Sequence, residues 1–233
     1  MKSVKYLLLF VIITICVFGE EKLKFNRITI EDGLSQSSVN AIIQDKKGYM
    51  WFATQAGVNK YFGNKFICYK NEPGNLNSLR ESYVTSMLMD KDGFLWIGTK
   101  GGGISCFDPE SENFINYENN PKDTDSLNSD IVKSMTIDKK GNIIAGTELG
   151  FSVLDKNSRK FKNYTTTDSV ISIFSDSRGE VYVGTDGGGL YRYDTSREKV
   201  TIYNTGNSEG IGDNAVYAIY EDKKNRLWVG TEK

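Results

Sequence analysis

Histidine does not occur in this chain of 233 residues. That excludes a histidine general base, a histidine metal ligand and a phospho-accepting histidine, and with them any Ser-His-Asp or Cys-His mechanism. An excess of charge of one sign is also missing. Lysine and arginine number 29 against 30 acidic residues, for a net charge of −1. A dedicated nucleic-acid binder would carry a basic excess or a basic stripe, and neither is present. Cysteine is scarce, at three residues. Cys68 and Cys106 fall at different positions of two different repeats (set out below), so no disulfide is implied and two half-buried free thiols are expected. Proline is equally scarce, while glycine is abundant and aromatic residues make up 12% of the chain. That balance suits short strands joined by tight turns.

Long apolar runs are lacking too, except at the N-terminus. Lys2 and Lys5 precede an apolar stretch over residues 6–18, which Val17-Phe18-Gly19 closes ahead of Glu20. The stretch is short for a membrane span, which needs about 20 residues, and it reads as a cleaved signal peptide over residues 1–19. Ile15 before Cys16 is too large for lipoprotein processing. Residues 20–233 then form the exported domain.

Within that domain a single unit recurs. Residues 39–54, 84–99, 132–147, 170–185 and 216–231 align without gaps. Each begins with Val (Val39, Val84, Val132, Val170, Val216) and has Asp six residues on: Asp45, Asp90, Asp138, Asp176, Asp222. Each ends with Thr nine residues after that Asp. Small residues (Ala41, Ser86, Ser134, Ser172, Ala218) precede large apolar ones (Ile42, Met87, Met135, Ile173, Ile219). In a strand these columns take opposite faces, and small side chains suit an innermost strand where sheets converge. Gly or Asn at the fourth place of the turn (Gly48, Gly93, Gly141, Gly179, Asn225) supplies the positive φ that a tight hairpin needs.

The second strand alternates a bulky residue with Ala or Gly, as in Trp96-Ile97-Gly98; the missing side chain is expected to admit a neighbour's aromatic ring. A glycine turn opens a third strand and a short polar turn the fourth. Four antiparallel strands per unit of roughly 45 residues make a propeller blade. The expected fold is therefore all-β, a β-propeller of four-stranded antiparallel blades over residues 37–69, 82–117, 130–164 and 168–203, with a partial fifth over 214–233. That fifth unit stops after its second strand, which predicts a longer parent protein. The alternative is a small ring closed by a strand at Phe25-Asn26-Arg27-Ile28.

Antiparallel strands send alternate loops to opposite ends. The glycine loops and the long connections over residues 70–83, 118–131 and 204–215 share one rim. Long loops on a rigid scaffold are where binding usually sits. The position after the repeat Thr also lies there and varies while its neighbours repeat: Gln55, Lys100, Glu148, Asp186, Glu232. With Arg80 and Tyr83 these are the expected ligand-binding residues; solvated loop ends are the alternative. Other motifs read as structure. Gly101-Gly102-Gly103 and Gly187-Gly188-Gly189 lead into strands and lack a Gly-Lys-Ser/Thr sequence, so they are turns rather than phosphate loops. Asp90 with Asp92, and Asp123 with Asp125, do not continue into a calcium loop. Trp51, Trp96 and Trp228 share a repeat register, which indicates packing between blades. No catalytic residue, metal site or cofactor is expected.

The unit Val-x-x-Ile-x-x-Asp-x-x-Gly-x-Leu-Trp-Ile-Gly-Thr-x-x-Gly-Gly-Leu, ending Phe-x-x-Tyr, resembles the two-component regulator propeller repeat. Residues 90–103 and 222–231 carry the likeness best, and Asp32-Gly33-Leu34-Ser35 also fits. Ile144 and Tyr182 depart from it by replacing Trp. The resemblance implies an exported, non-catalytic sensor domain of a hybrid two-component system that responds to oligosaccharides. It implies as partners the remaining parts of a membrane-bound sensor kinase, with membrane contact only through segments outside this chain. A secreted propeller enzyme acting on glycans, with Glu148 and Asp186 as its acid pair, and a free-standing protein-interaction scaffold are the alternative readings.

Overall fold

The computed structural model describes residues 23–207 and 210–233; the expected signal peptide, residues 1–19, lies outside them. The first blade comprises β1 (Val39–Gln44), β2 (Met50–Thr54), β3 (Gly57–Phe62) and β4 (Lys65–Tyr69). The second comprises β5 (Val84–Met89), β6 (Leu95–Thr99), β7 (Ile104–Asp108) and β8 (Asn113–Tyr117). The third comprises β9 (Val132–Ile137), β10 (Ile143–Thr147), β11 (Gly150–Leu154) and β12 (Phe161–Thr165). The fourth comprises β13 (Val170–Ser175), β14 (Glu180–Thr185), β15 (Leu190–Asp194) and β16 (Lys199–Tyr203). β17 (Val216–Glu221) and β18 (Leu227–Thr231) form a two-stranded fifth sheet. Strand order within each sheet follows the chain, and the first strands of successive sheets are neighbours. This is four whole propeller blades and part of a fifth. Among the described residues the one helical element is a 3-10 turn, Ile30–Asp32, and no helix is long and apolar enough to cross a membrane.

Each hairpin is closed by its aspartate. Asp90 Oδ1 accepts the N–H groups of Asp92 and Phe94 at 2.9 and 3.0 Å, and Oδ2 accepts the Trp96 indole N–H at 3.0 Å. Asp45 does the same with Trp51, and Asp222 with Trp228. Where the indole is missing, a different donor takes its place. Asn142 Nδ2 donates to Asp138 Oδ2 in the third blade, and Arg178 Nε to Asp176 Oδ2 in the fourth. The fourth residue of each turn has positive φ, from 58° at Asn225 to 95° at Gly93.

The core lies between blades rather than within one. Trp51 of the first blade packs with Val84, Leu95 and Phe107 of the second. Trp96 packs with Val132, Ile143 and Leu154 of the third, Ile144 with Val181 and Tyr193 of the fourth, and Tyr182 with Val216 of the fifth. Side chains of the innermost strands stitch the same joints: Asn40 donates to Val84 O (2.7 Å), Thr85 to Val132 O (2.6 Å) and Ser172 to Val216 O (3.0 Å).

Four expectations need correction. The gap left by Gly98 receives the next blade's first valine, not an aromatic ring: an added Cβ would stand 2.7 Å from Val132 Cγ1. Trp228 is 55% exposed, because the face that Trp51 and Trp96 turn to a following blade is open on the fifth sheet. Residues 23–29 form no strand and Phe25 is 86% exposed. An outermost strand needs a third strand to pair with, and β17–β18 is a sheet of two. Both described cysteines are free, but Cys68 is exposed and Cys106 buried rather than each half-buried.

Candidate functional site

The rim is built by continuing the inner hairpin past the repeat Thr. Lys100 N–H donates to Tyr83 O, Asp186 N–H to Ser169 O and Glu232 N–H to Ala215 O, at 2.9, 2.9 and 3.2 Å. The residue after Thr is thereby held against the residue before the repeat Val, and its side chain is exposed at Lys100, Asp186 and Glu232. The turn behind it is tight. Gly102 lies so close to the Arg80 and Glu81 backbone stems that a Cβ would meet them at 2.7–2.8 Å.

Three of the expected residues come together. Gln55 Nε2 donates to the Tyr83 hydroxyl at 3.2 Å, and Lys100 Nζ stands 5.1 Å from the Tyr83 ring centroid. The cluster bridges the first two blades and presents an aromatic ring, an amide and an ammonium group. That combination suits stacking and hydrogen bonding to a polar ring. Arg80 stands apart from it: its Nε pairs with Glu118 at 2.8 Å. Glu148 and Asp186 are joined indirectly. Ser129 Oγ donates to Glu148 Oε1 at 3.2 Å, Ser169 Oγ donates to Glu148 O at 3.5 Å, and Ser169 O accepts the Asp186 N–H. Glu232 lies with Asp186 and Asp213 around Tyr217, which is 53% exposed. The Glu232 carboxylate, then desolvation, then Asp186 and Asp213 hold the Tyr217 hydroxyl above its ordinary pKa. Charge on the rim is therefore divided: Lys100 stands on the side of the early blades, and carboxylates on the side of the later ones.

The long connections are more ordered than their composition suggests. Leu79 and Leu127 are fully buried. Asn71 Nδ2 and Asn119 Nδ2 each donate to the carbonyl of that leucine, both at 2.7 Å, and Ser78 and Ser126 close the turn before it. Two rim groups were not legible from the repeat. Tyr217 sits just after the repeat Val, in a column (Asn40, Thr85, Lys133, Ile171, Tyr217) whose variation is the available signal. Asn128 follows the buried Leu127, as Arg80 follows Leu79 and Ser35 follows Leu34. Its Oδ1 accepts from Thr147, while its Nδ2 is buried with no hydrogen-bond partner among the described residues. No group of three or more metal-binding side chains occurs among the described residues.

Residues 33–56, 78–101 and 210–233 match the family described as Two component regulator propeller. Three of the five units thus match two-component regulator propeller repeats. A 55-residue stretch is 47% identical to Histidine kinase P4 of Formosa agariphila, covering 24% of this chain and 4% of that protein. The extracellular domain of the putative hybrid two component system BT3049 from B. thetaiotaomicron superposes with a TM-score of 0.78 at 29% identity. That match covers 89% of this chain and 29% of the other. Virginiamycin B lyase from Staphylococcus aureus superposes with a TM-score of 0.65 at 15% identity, over 86% of this chain and 65% of its own, which is a likeness of fold alone. The chain thus spans less than a third of the BT3049 domain and of Histidine kinase P4. The propeller repeats are homologous to extracellular domains of two-component sensors.

Proposed function

We propose that this chain is the extracytoplasmic, ligand-sensing propeller of a two-component sensor, and that by itself it is not catalytic. The observation that carries the reading is the match to a sensor's extracellular domain along 89% of the chain, in repeats of the two-component regulator type. The apolar N-terminal stretch after Lys2 and Lys5 supports export. Output would come from a kinase elsewhere in the parent protein.

The ligand is an oligosaccharide held at the rim, with Tyr83 as the ring platform and Gln55 and Lys100 as its polar contacts. Arg80, Glu148, Asp186 and Glu232 extend the same surface. Binding to an immobilised oligosaccharide panel tests this, with Tyr83→Ala and Lys100→Ala as the diagnostic variants. Each is expected to weaken a bound glycan about tenfold, the scale of losing one aromatic or charged contact. A glycan that binds equally to both variants would place the site elsewhere. Cleavage of a bound glycan, lost in Glu148→Ala or Asp186→Ala, would instead make the chain an enzyme.

A further inference from the structure

Crevices open at the hairpin ends of three joints. Those between the first and second and between the third and fourth blades, about 270 and 300 Å³, are lined mostly by charged and polar side chains; the one between the second and third is smaller and has an apolar wall. Across the sheet from the second-strand residue of this column stand Lys60 in the first blade (against Trp51), Val153 in the third (against Ile144) and Arg192 in the fourth (against Tyr182). Lys60 Nζ lies 5.3 Å from the Trp51 ring centroid, so its stem covers the indole. At Trp96 the same place is taken by Cys106. The following blade steps down as well. Phe107 meets the Trp51 ring at 5.8 Å, whereas the residue at that column opposite Trp96 is Leu154. Relative to the joint between the first and second blades, two large side chains are thus replaced by two smaller ones.

The cavity there measures about 100 Å³ and is lined on its apolar side by Phe94, Trp96, Cys106, Tyr117 and Leu154. It opens on the hairpin end of the blades, away from the rim. At its mouth stand Arg159 and Lys156. The carboxylates there are already committed. Asp90 accepts three N–H groups, Asp155 Oδ1 accepts those of Asn157 and Ser158, and Asp92 pairs with Lys156. Arg159 makes no ion pair among the described residues.

We propose that this crevice is a second binding site, for a small aromatic carboxylic acid whose ring enters against Trp96 and whose carboxylate meets Arg159. An apolar space of this size takes a single six-membered ring, and a planar guanidinium matches a carboxylate at the opening. Cys106 is a wall, not a nucleophile: burial, with the Asp90 charge, pushes its thiol up to about 12, far from a reactive thiolate. The site is independent of the rim reading.

Benzoate is the probe, with benzyl alcohol as its uncharged counterpart, titrated into the purified chain and followed by calorimetry and tryptophan emission. One-to-one binding with a dissociation constant on the order of 1 mM is the strength expected for so small a ligand. Benzyl alcohol should bind at least about fivefold more weakly, and Arg159→Gln should remove that difference. Cys106→Leu and Leu154→Phe should each fill the space and abolish binding of both compounds. Arg159 is exposed, so the charge test stands even if a filling variant does not fold. No saturable binding up to about 20 mM, equal affinity for the two probes, or undiminished binding by a folded filling variant would each overturn the proposal.

Discussion

Replacing Asp90 with alanine separates two explanations of the repeated aspartate. The carboxylate could act by nucleating the hairpin, or by satisfying donors that the next blade buries. Asp90 and Asp222 share three contacts, two backbone N–H groups on Oδ1 and an indole N–H on Oδ2, all between 2.8 and 3.0 Å; Asp222 Oδ2 also accepts from the exposed Arg226 Nε at 2.7 Å. Their surroundings differ. Asp90 is 7% exposed and Trp96 6%, whereas Trp228 is 55% exposed. In Asp90→Ala the Trp96 indole N–H is stranded in the interior and the Phe94 N–H is half-buried. One stranded donor costs about 1–3 kcal/mol, and a lost bond to a charged acceptor is of similar size. The sum, discounted for partial access of water to the turn, is ~2–4 kcal/mol. For a chain of this size that lowers the melting midpoint by about 5–15 °C. In Asp222→Ala water replaces the carboxylate at every donor, so the midpoint should stay far closer to that of the parent. Thermal and urea melts followed by tryptophan emission measure both. Equal losses at the two positions would refute burial as the cause and favour the turn itself.

Two further outcomes follow from the same geometry. A Cβ at Gly184 would stand 2.2 Å from Ser172 Oγ and 2.5 Å from the Val216 carbonyl, whereas one at Gly230 meets nothing closer than 3.5 Å. Gly184→Ala should therefore cost about 1–3 kcal/mol in urea melts while Gly230→Ala is close to neutral; the reverse order would show that the joint between the fourth and fifth blades is loose. The Asp222 carboxyl is held down to about 2, first by the Trp228 indole N–H and then by the Arg226 backbone N–H. A depressed carboxyl stabilises the fold above its unfolded value near 4, and that contribution is lost as pH falls through about 2. Trp228 emission should report that loss, and Asp222→Asn should remove the step while leaving the Trp51 and Trp96 signals in place.

Strand positions were legible because each strand repeats five or four times, and a column that recurs reveals the face it occupies. The second strands fall where their Trp or Tyr and Gly columns place them, and every turn glycine has the φ its position implies. What a face touches was not legible. Gly98 reads as room for a ring, yet Val132 fills it, because the partner belongs to another blade and no spacing within one unit records it. The same limit applies at the rim. Gln55, Tyr83 and Lys100 meet because two blades meet, while Arg80, in the same expected set, is turned to Glu118. Leu79 and Leu127 were hidden inside polar connections, although Asn71, Ser78 and Leu79 recur as Asn119, Ser126 and Leu127.

Departures from the repeat carry two kinds of information. Ile144 and Tyr182 break the Trp column, and within each hairpin a new donor repairs the break: Asn142 for Asp138, Arg178 for Asp176. The buried carboxylate remains satisfied, as a buried charge must be. Such paired changes conserve structure. Cys106 and Leu154 are a different case, since both steps are downward from Lys60 and Phe107, fall at one joint and leave a crevice with an apolar wall, where the crevices of the neighbouring joints are lined mostly by charged and polar side chains. Close packing disfavours an empty apolar space, at a cost that rises with its volume. A fold that repairs its hairpins twice, yet leaves an apolar wall open at this joint, has a structural reason to repack it and has not done so. That asymmetry, more than any single contact, is why the crevice reads as a site and the altered tryptophan positions do not.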